Sequence, residues 1–387
     1  MDFAFTQEQE MIRDTVASFL KGASTSAAIR SAMDSELGYS PELWQRICSE
    51  MYWQALHIPE EYGGMGLGYV ELVAVLEQMG RYLLCSPYLA TVAMATNALL
   101  VAANDSQKSE YLPQLIEGKT ATLAFNGGGN VWDSRAVTAH YRLEGDDVIL
   151  NGEYRYALDG HSADYFILAA REEGSSGDNG LSLFVCGADG DGIESTRMPT
   201  MDQSRRQASI QLNDLRLTQQ NVLGELGAGA KPLAKIVDLA TIALAAEQAG
   251  GMQQILDMTV DYTQSRSQFG RPIAGFQAIK HKAADMMLRN EVARSAVYYA
   301  ACVADDALND GPLAQELSEA ASIAKSYCSE AYFKNTGEAL QMHGGVGFTW
   351  EYDVHLYFKR AKASEHYLGS SAYHRERLAG LLLDTAC

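Results

Sequence analysis

Three places in this chain hold residues whose types and spacing suit chemistry. The first is Tyr262-Thr-Gln-Ser-Arg266-Ser-Gln-Phe-Gly-Arg-Pro272, with Phe276-Gln277 beyond it. An arginine beside a Phe-Gly pair at a helix end can present its planar guanidinium fork to phosphate oxygens. The same pattern suits a plain helix C-terminus, where the arginine complements the dipole and Gly270 ends the helix. The second place is Gln341-Met-His-Gly-Gly-Val-Gly347, with three glycines in four positions. Such a stretch lets a ligand approach the backbone, whose N–H groups can hold a pyrophosphate. A simple helix–loop–helix turn needs only one glycine. The third is Glu247, a lone acid in Leu244-Ala-Ala-Glu-Gln-Ala-Gly-Gly251. A partly desolvated carboxylate can act as a general base. It can also pair with an arginine or cap a neighbouring helix.

The elements that must position these residues fall into three regions. Residues 1–120 read as helical: Phe3, Phe5, Met11, Ile12, Val16, Phe19 and Leu20 recur at helical spacing, and Thr6 is followed by acids as an N-cap would be. A loop at Pro59–Gly68 precedes helices expected over Glu71–Arg81, Tyr88–Ala103 and Ser109–Ile116. Residues 121–225 show short β-branched or alternating runs at Ala136–Leu143, Val148–Leu150, Tyr165–Ala170, Leu181–Val185 and Ala208–Leu212. Gly, Asn and Asp separate them, which predicts an antiparallel β domain with hairpins. No helix alternates with the strands, so a parallel dinucleotide-binding sheet is disfavoured, and Gly127-Gly128-Gly129 is weak as a phosphate loop. Residues 226–387 return to long helices, expected over Lys231–Arg266, Phe276–Ala304, Leu313–His343, Asp353–Leu368 and His374–Leu383. Short links between long helices predict a bundle.

Composition excludes several function classes. Of 387 residues, 47% are hydrophobic and 20% charged, enough to bury a large core. The net charge of −19, with no basic cluster, argues against nucleic acid and against anionic membrane surfaces. The apolar stretches Leu89–Ala103 and Leu233–Ala246 are interrupted by polar residues, so no membrane span is expected. Asp2 precedes any apolar stretch, and no secretory leader is expected. The cysteines at 48, 85, 186, 302, 328 and 387 lack C-x-x-C spacing and read as free thiols in a reducing cytoplasm. The histidines are scattered, so no metal site is expected.

Arg266-x-Gln-Phe-Gly-Arg-Pro with Phe276-Gln, then Gln341-x-x-Gly-Gly-x-Gly-Phe-Thr, resembles the acyl-CoA dehydrogenase family. So does Ile58-Pro-Glu-Glu-Tyr-Gly-Gly-Met-Gly-Leu-Gly with Leu76-Glu-Gln-Met-Gly-Arg behind it. The resemblance covers nearly the whole chain in motif order. It implies an α+β multidomain fold: an N-terminal helical domain (1–120), a central β domain (121–225) and a C-terminal four-helix bundle (226–387). It implies FAD, an acyl-CoA substrate and an electron-transfer flavoprotein as acceptor. Assembly as a dimer or tetramer is implied too. The positions matching the family's flavin contacts across the dimer interface are Arg266, Gln268, Phe269, Gln277, Gln341, Gly344 and Gly345, with Gly270 in the same turn.

The chain departs from the family where the proton is taken. The glutamate of the family's Tyr-Glu-Gly-Thr stretch is replaced in Tyr367-Leu368-Gly369-Ser370, and the alternative position, 26 residues before Arg266, is Ala240. Glu247 lies seven residues after Ala240, two turns along the same helix face and about 10 Å along its axis. The resemblance makes it the expected base, as in family members acting on bulky substrates such as steroid side chains. Glu365 and Asp238 are weaker candidates. In the central region Phe125–Asp133 replaces the usual Thr-Glu-Pro-Gly-x-Gly-Ser-Asp, and Tyr156-Ala157-Leu158 replaces Trp-Ile-Thr, losing a flavin-contacting hydroxyl. These changes resemble a divergent bacterial branch with some heteromeric members. The expected activity is oxidation of an acyl-CoA to its 2,3-enoyl-CoA. A non-catalytic subunit of a heteromer, and a flavin oxidase or monooxygenase on the same fold, are the alternatives.

Overall fold

The computed structural model describes residues 5–383; Asp2, Phe3 and Cys387 lie outside them. The first helix, α1 (Gln7–Ala23), starts where expected. Thr6 Oγ1 accepts the Gln9 amide at 3.3 Å while Gln9 Oε1 accepts the Thr6 amide at 2.9 Å, a reciprocal capping box. Then come α2 (Ser26–Asp34), α3 (Pro41–Arg46) and α4 (Tyr69–Arg81). The helix expected over Tyr88–Ala103 differs in kind. Leu89–Thr96 winds as π-helical turns, fully buried, and only Asn97–Ala102 (α5) is α-helical. Thr96 Oγ1 donates to the Thr91 carbonyl at 2.9 Å, matching the wider turn. A run apolar all round gives no periodic register from which this could be read. Helix α6 (Asp105–Ile116) follows.

The β region has eight strands: β1 (Ala121–Ala124), β2 (His140–Glu144), β3 (Asp147–Leu158), β4 (Tyr165–Glu172), β5 (Leu181–Gly187), β6 (Ile193–Arg197), β7 (Gln207–Thr218) and β8 (Val222–Leu223). They form one sheet in the order β6-β7-β3-β2-β4-β5-β8, with β1 added on β4. Most neighbouring strands pair antiparallel, as expected, with two exceptions: β1 runs parallel to β4, and β2 meets β4 in parallel at His140 and Tyr141. The run expected from Ala136 begins as a strand only at His140. Ser134–Ala136 forms a 3-10 turn that the Asp133 carboxylate caps by accepting the Arg135 amide at 2.9 Å. The run at Val148–Leu150 extends to twelve residues, broken by bulges after Leu150 and Tyr154. Phe166, Leu168, Tyr154, Ile210 and Phe184 fill the sheet's core. Burial of such side chains contributes about 1.5–3 kcal/mol each.

Long helices complete the chain: α7 (Ala230–Ser265), α8 (Gln277–Leu308), α9 (Leu317–His343), α10 (Val354–His366) and α11 (Ser371–Leu383). A two-strand hairpin, β9 (Ser267–Gln268) and β10 (Arg271–Pro272), separates α7 from α8. Two compact units interleave along the sequence. One takes the chain up to Ser31, Tyr69–Leu84 and the chain from Thr241 onward; the other takes Ala32–Gly68 and Cys85–Ala240. The first is helical, the second carries the sheet with α3, α5 and α6. No helix among the described residues is long and apolar enough to cross a membrane.

Candidate active site

In the helical unit, the ends of α7 and α9 bring the two anion-suited stretches together. The Tyr262 ring stacks on His343 with centroids 4.3 Å apart, and its hydroxyl donates to the His343 carbonyl at 3.2 Å. His343 Nδ1 lies 2.8 Å from the Ala339 carbonyl, and burial lowers its pKa, so the ring is a neutral packing partner. One turn past Tyr262 stands Arg266; directly after His343 stands Gly344.

The β9–β10 hairpin turns on Phe269 and Gly270, at φ 55° and 79°. A two-residue loop with both φ values positive is a type I′ turn, which matches strand twist but disfavours bulky residues. This corrects the helix-terminating reading of Gly270: α7 has already ended at Ser265. Phe269 is 90% exposed and meets Phe276 edge-on, and Arg271 sits over the Phe276 ring at 4.1 Å. A strained, exposed aromatic costs of order 1–3 kcal/mol. Arg266, Gln268, Gln277 and Gln341 are exposed too, and none of their side chains hydrogen-bonds another described residue. Their donors are unspent.

In the glycine stretch, Gly344 breaks α9 at φ 64° and Gly345 follows; a Cβ at either would meet nothing within 4 Å. Gly347 is a packing glycine, where a Cβ would come to 3.1 Å of His343 Cβ. The expectation that all the N–H groups here are available is corrected, because Gly344 gives its own to the Leu340 and Gln341 carbonyls. The open backbone and unspent donors fit a large anionic cofactor such as a flavin dinucleotide.

Glu247 sits mid-α7, 7% exposed. Helix α4 crosses there at very short range: a Cβ at Gly80 would fall 2.0 Å from the Glu247 carbonyl oxygen, and one at Gly250 would fall 1.7 Å from that of Glu77. Glycines therefore fix where this carboxylate's backbone lies. The next residue, Gln248, hydrogen-bonds Ser329 and Ser364 at 3.1 Å each. The position of the family's usual base is filled by Leu368, buried and at φ 57°. Ala240 is fully buried. Glu365 pairs with Lys362 at 2.8 Å, as a surface helix residue would. Asp238 is buried and has a polar partner.

In the sheet unit, Tyr156 stands at φ 63°, with the Trp132 ring 6.1 Å away and Phe125 5.9 Å beyond that. Asn126 Oδ1 accepts the Gly128 amide at 2.7 Å, fixing the loop that replaces the family's Thr-Glu-Pro-Gly stretch. Residue-type spacing missed the Tyr262–His343 stack and a buried lysine, Lys325, described below. The lysine's signal was a lone cation among small residues in Ile323-Ala-Lys-Ser-Tyr-Cys-Ser.

The helical and sheet regions match one enzyme class, the FAD-dependent oxidoreductases that act on acyl-CoA. Residues 6–119 match the acyl-CoA dehydrogenase N-terminal domain and residues 227–383 its C-terminal domain. The chain belongs to the acyl-CoA dehydrogenase family. It is 33% identical over 374 residues to acyl-CoA dehydrogenase IpdE2 of Mycolicibacterium smegmatis, covering 96% of this chain and 98% of that one. The Tcur3481-Tcur3483 steroid ACAD, as its G363A variant, superposes with a TM-score of 0.87 at 26% identity, covering 98% of this chain and 99% of that one. The ChsE4-ChsE5 complex from Mycobacterium tuberculosis gives 0.88 at 25% identity, covering 99% of each chain.

Proposed function

We propose that this chain oxidises a bulky or branched acyl-CoA thioester to its 2,3-enoyl-CoA, with Glu247 as the base that takes the α proton. The single observation that carries the reading is Glu247 itself: a buried carboxylate whose backbone is wedged by Gly80, in a chain whose two usual base positions hold Leu368 and Ala240. Its place seven residues past Ala240 keeps it on the same helix face. FAD, when bound, supplies the acceptor for the hydride leaving the β carbon, and an electron-transfer flavoprotein takes the electrons onward. Arg266 offers its fork to the pyrophosphate, with Gln268, Gln277 and Gln341 as further donors. Gly344 and Gly345 leave room for close approach, and Phe269 with Gly270 forms the rim. Every one of these is exposed on the single chain, which supports their serving a flavin across a subunit interface. The partner is a second copy or a related subunit, and the compartment is the cytoplasm. The steroid ACAD among the relatives supports the bulky substrate.

The test is an acyl-CoA panel against wild type and Glu247→Gln. Flavin stays bound in the variant while substrate bleaching slows at least ~10²-fold, the usual size of a general-base contribution. Undiminished bleaching moves the base elsewhere. A second reading is favoured by Leu368 and Ala240 together: a subunit that binds cofactor but leaves proton abstraction to a heteromeric partner. A yellow, active homo-oligomer from this chain alone eliminates it.

A further inference from the structure

We propose that Lys325 is a positioning residue for Glu247: its ammonium clamps the turn 364–369 and, through Ser329, fixes the Gln248 side chain beside the base. The proposal rests on the dehydrogenase reading above. Lys325 projects from α9 and is completely buried. Its Nζ lies within hydrogen-bond distance of four oxygens, the carbonyls of Ser364 at 2.9 Å, Glu365 at 3.1 Å and Gly369 at 2.9 Å and Ser329 Oγ at 2.8 Å, so its three N–H groups are shared among them. The Ser364 and Glu365 carbonyls lie in the last turn of α10, which otherwise lack helical partners, and a cation there complements the helix dipole. Among the described residues Lys325 makes no ion pair; the Glu365 carboxylate is taken by Lys362. Burial pulls the ammonium down to about 7, while the four acceptors favour the charged form.

The clamp reaches the base helix by an oriented chain of donors. Ser329 Oγ accepts from Lys325 and donates to Gln248 Oε1 at 3.3 Å, and Gln248 Nε2 donates to Ser364 Oγ at 3.1 Å. Gln248 and Glu247 are consecutive on a backbone that Gly80 already locates, so fixing Gln248 fixes the rotation of α7 at the base. At the far end of the turn, His374 Nε2 donates to the Leu368 carbonyl at 2.8 Å. Leu368 is held at φ 57°, a conformation that leucine adopts only when its surroundings over-determine it. An apolar side chain of similar volume would avoid the desolvation cost of a buried ammonium. What the lysine adds is geometry.

The assembled flavoprotein is tested as Ser329→Ala and Lys325→Met. Ser329→Ala keeps the clamp on the turn and removes the route to α7 that runs through Ser329, leaving only the Gln248–Ser364 hydrogen bond. Its bleaching rate per bound flavin and its kcat fall ~3–10-fold with KM unchanged, the scale of one positioning hydrogen bond. Lys325→Met loses at least as much, and amide exchange quickens in peptides covering 244–251 and 364–371. Unchanged kcat per flavin in Ser329→Ala overturns the proposal, whatever happens to melting temperature, because a merely structural lysine moves stability alone. If wild type oxidises no acyl-CoA, the dehydrogenase reading fails. Exchange then still decides the linkage: quickening over 244–251 in Ser329→Ala upholds it, and unchanged exchange refutes it.

Discussion

The interiors of the two units are built differently. The sheet's core is aromatic and aliphatic: Phe166, Leu168, Tyr154, Phe184 and Ile210 meet there, the Tyr154 hydroxyl donates to the Ala169 carbonyl, and at the edge Ser182 donates to Tyr141, each at 3.1 Å. The helical bundle buries a polar belt instead, with Lys325, Gln248, Ser329, Ser364, His374, Asn290 and Asn335 all within it. Asn335 donates to Asn290 at 2.8 Å, and Asn290 to the Met252 carbonyl at 3.1 Å. Buried polar groups add little net stability once desolvation is counted, but a satisfied network admits few arrangements. The sheet core holds its unit together, whereas the belt fixes where helices stand around a chemical group.

The largest effect that would sharpen this contrast is Phe166→Ala. Phe166 is fully buried near the start of β4, and truncation removes both transfer energy and packing, costing about 3–5 kcal/mol. Differential scanning calorimetry should show a large fall in melting temperature. Turnover per folded, flavin-loaded molecule at low temperature should stay near wild type. A loss of turnover without loss of stability would erase the distinction between the two interiors.

Next in size is the acid response of the belt. Burial, then the nearby Lys325 and Arg377 charges, lower the His374 pKa from 6.5 to about 3. The folded state therefore keeps this ring neutral where the unfolded chain would protonate it. The stability it contributes is complete above pH 6.5 and is lost as pH falls toward 3, at about 1.4 kcal/mol per pH unit for one proton. His374→Gln can still donate to Leu368 but does not titrate. Urea melts from pH 7 to 4 should show a flatter decline for the variant, and parallel declines would remove His374 from the account.

The sequence announced some of this and hid the rest. Glu247 stood out as a lone acid in Leu244–Gly251, and α7 was legible from a run rich in Ala, Leu, Met and Gln that Pro272 closes. The boundary of β3 was not, since Asn151-Gly-Glu153 interrupts alternation exactly where the strand bulges. Lys325 was invisible as a clamp because its carbonyl acceptors lie about forty positions away, and residue spacing along one helix cannot report them. The parallel pairing of β1 with β4 escaped for the same reason. The residues proposed for the cofactor were picked out by motif order, and their shared exposure emerged only when α7 and α9 were seen to end side by side at Tyr262 and His343.

The smallest effect concerns Phe269, and it separates strain from stability within the helical unit. A phenyl group at φ 55° in a type I′ turn is disfavoured, and 90% exposure gives it little packing in return. Asparagine tolerates that backbone, so Phe269→Asn should stabilise the flavin-free protein by about 1 kcal/mol. The same change removes the apolar rim beside Arg266 and should weaken FAD retention, read by flavin release on gel filtration. Stabilisation with undiminished flavin binding would mean that the strain serves a partner surface other than the cofactor's. Destabilisation would mean that the Phe269–Phe276 edge contact, at 6.1 Å, outweighs the backbone cost.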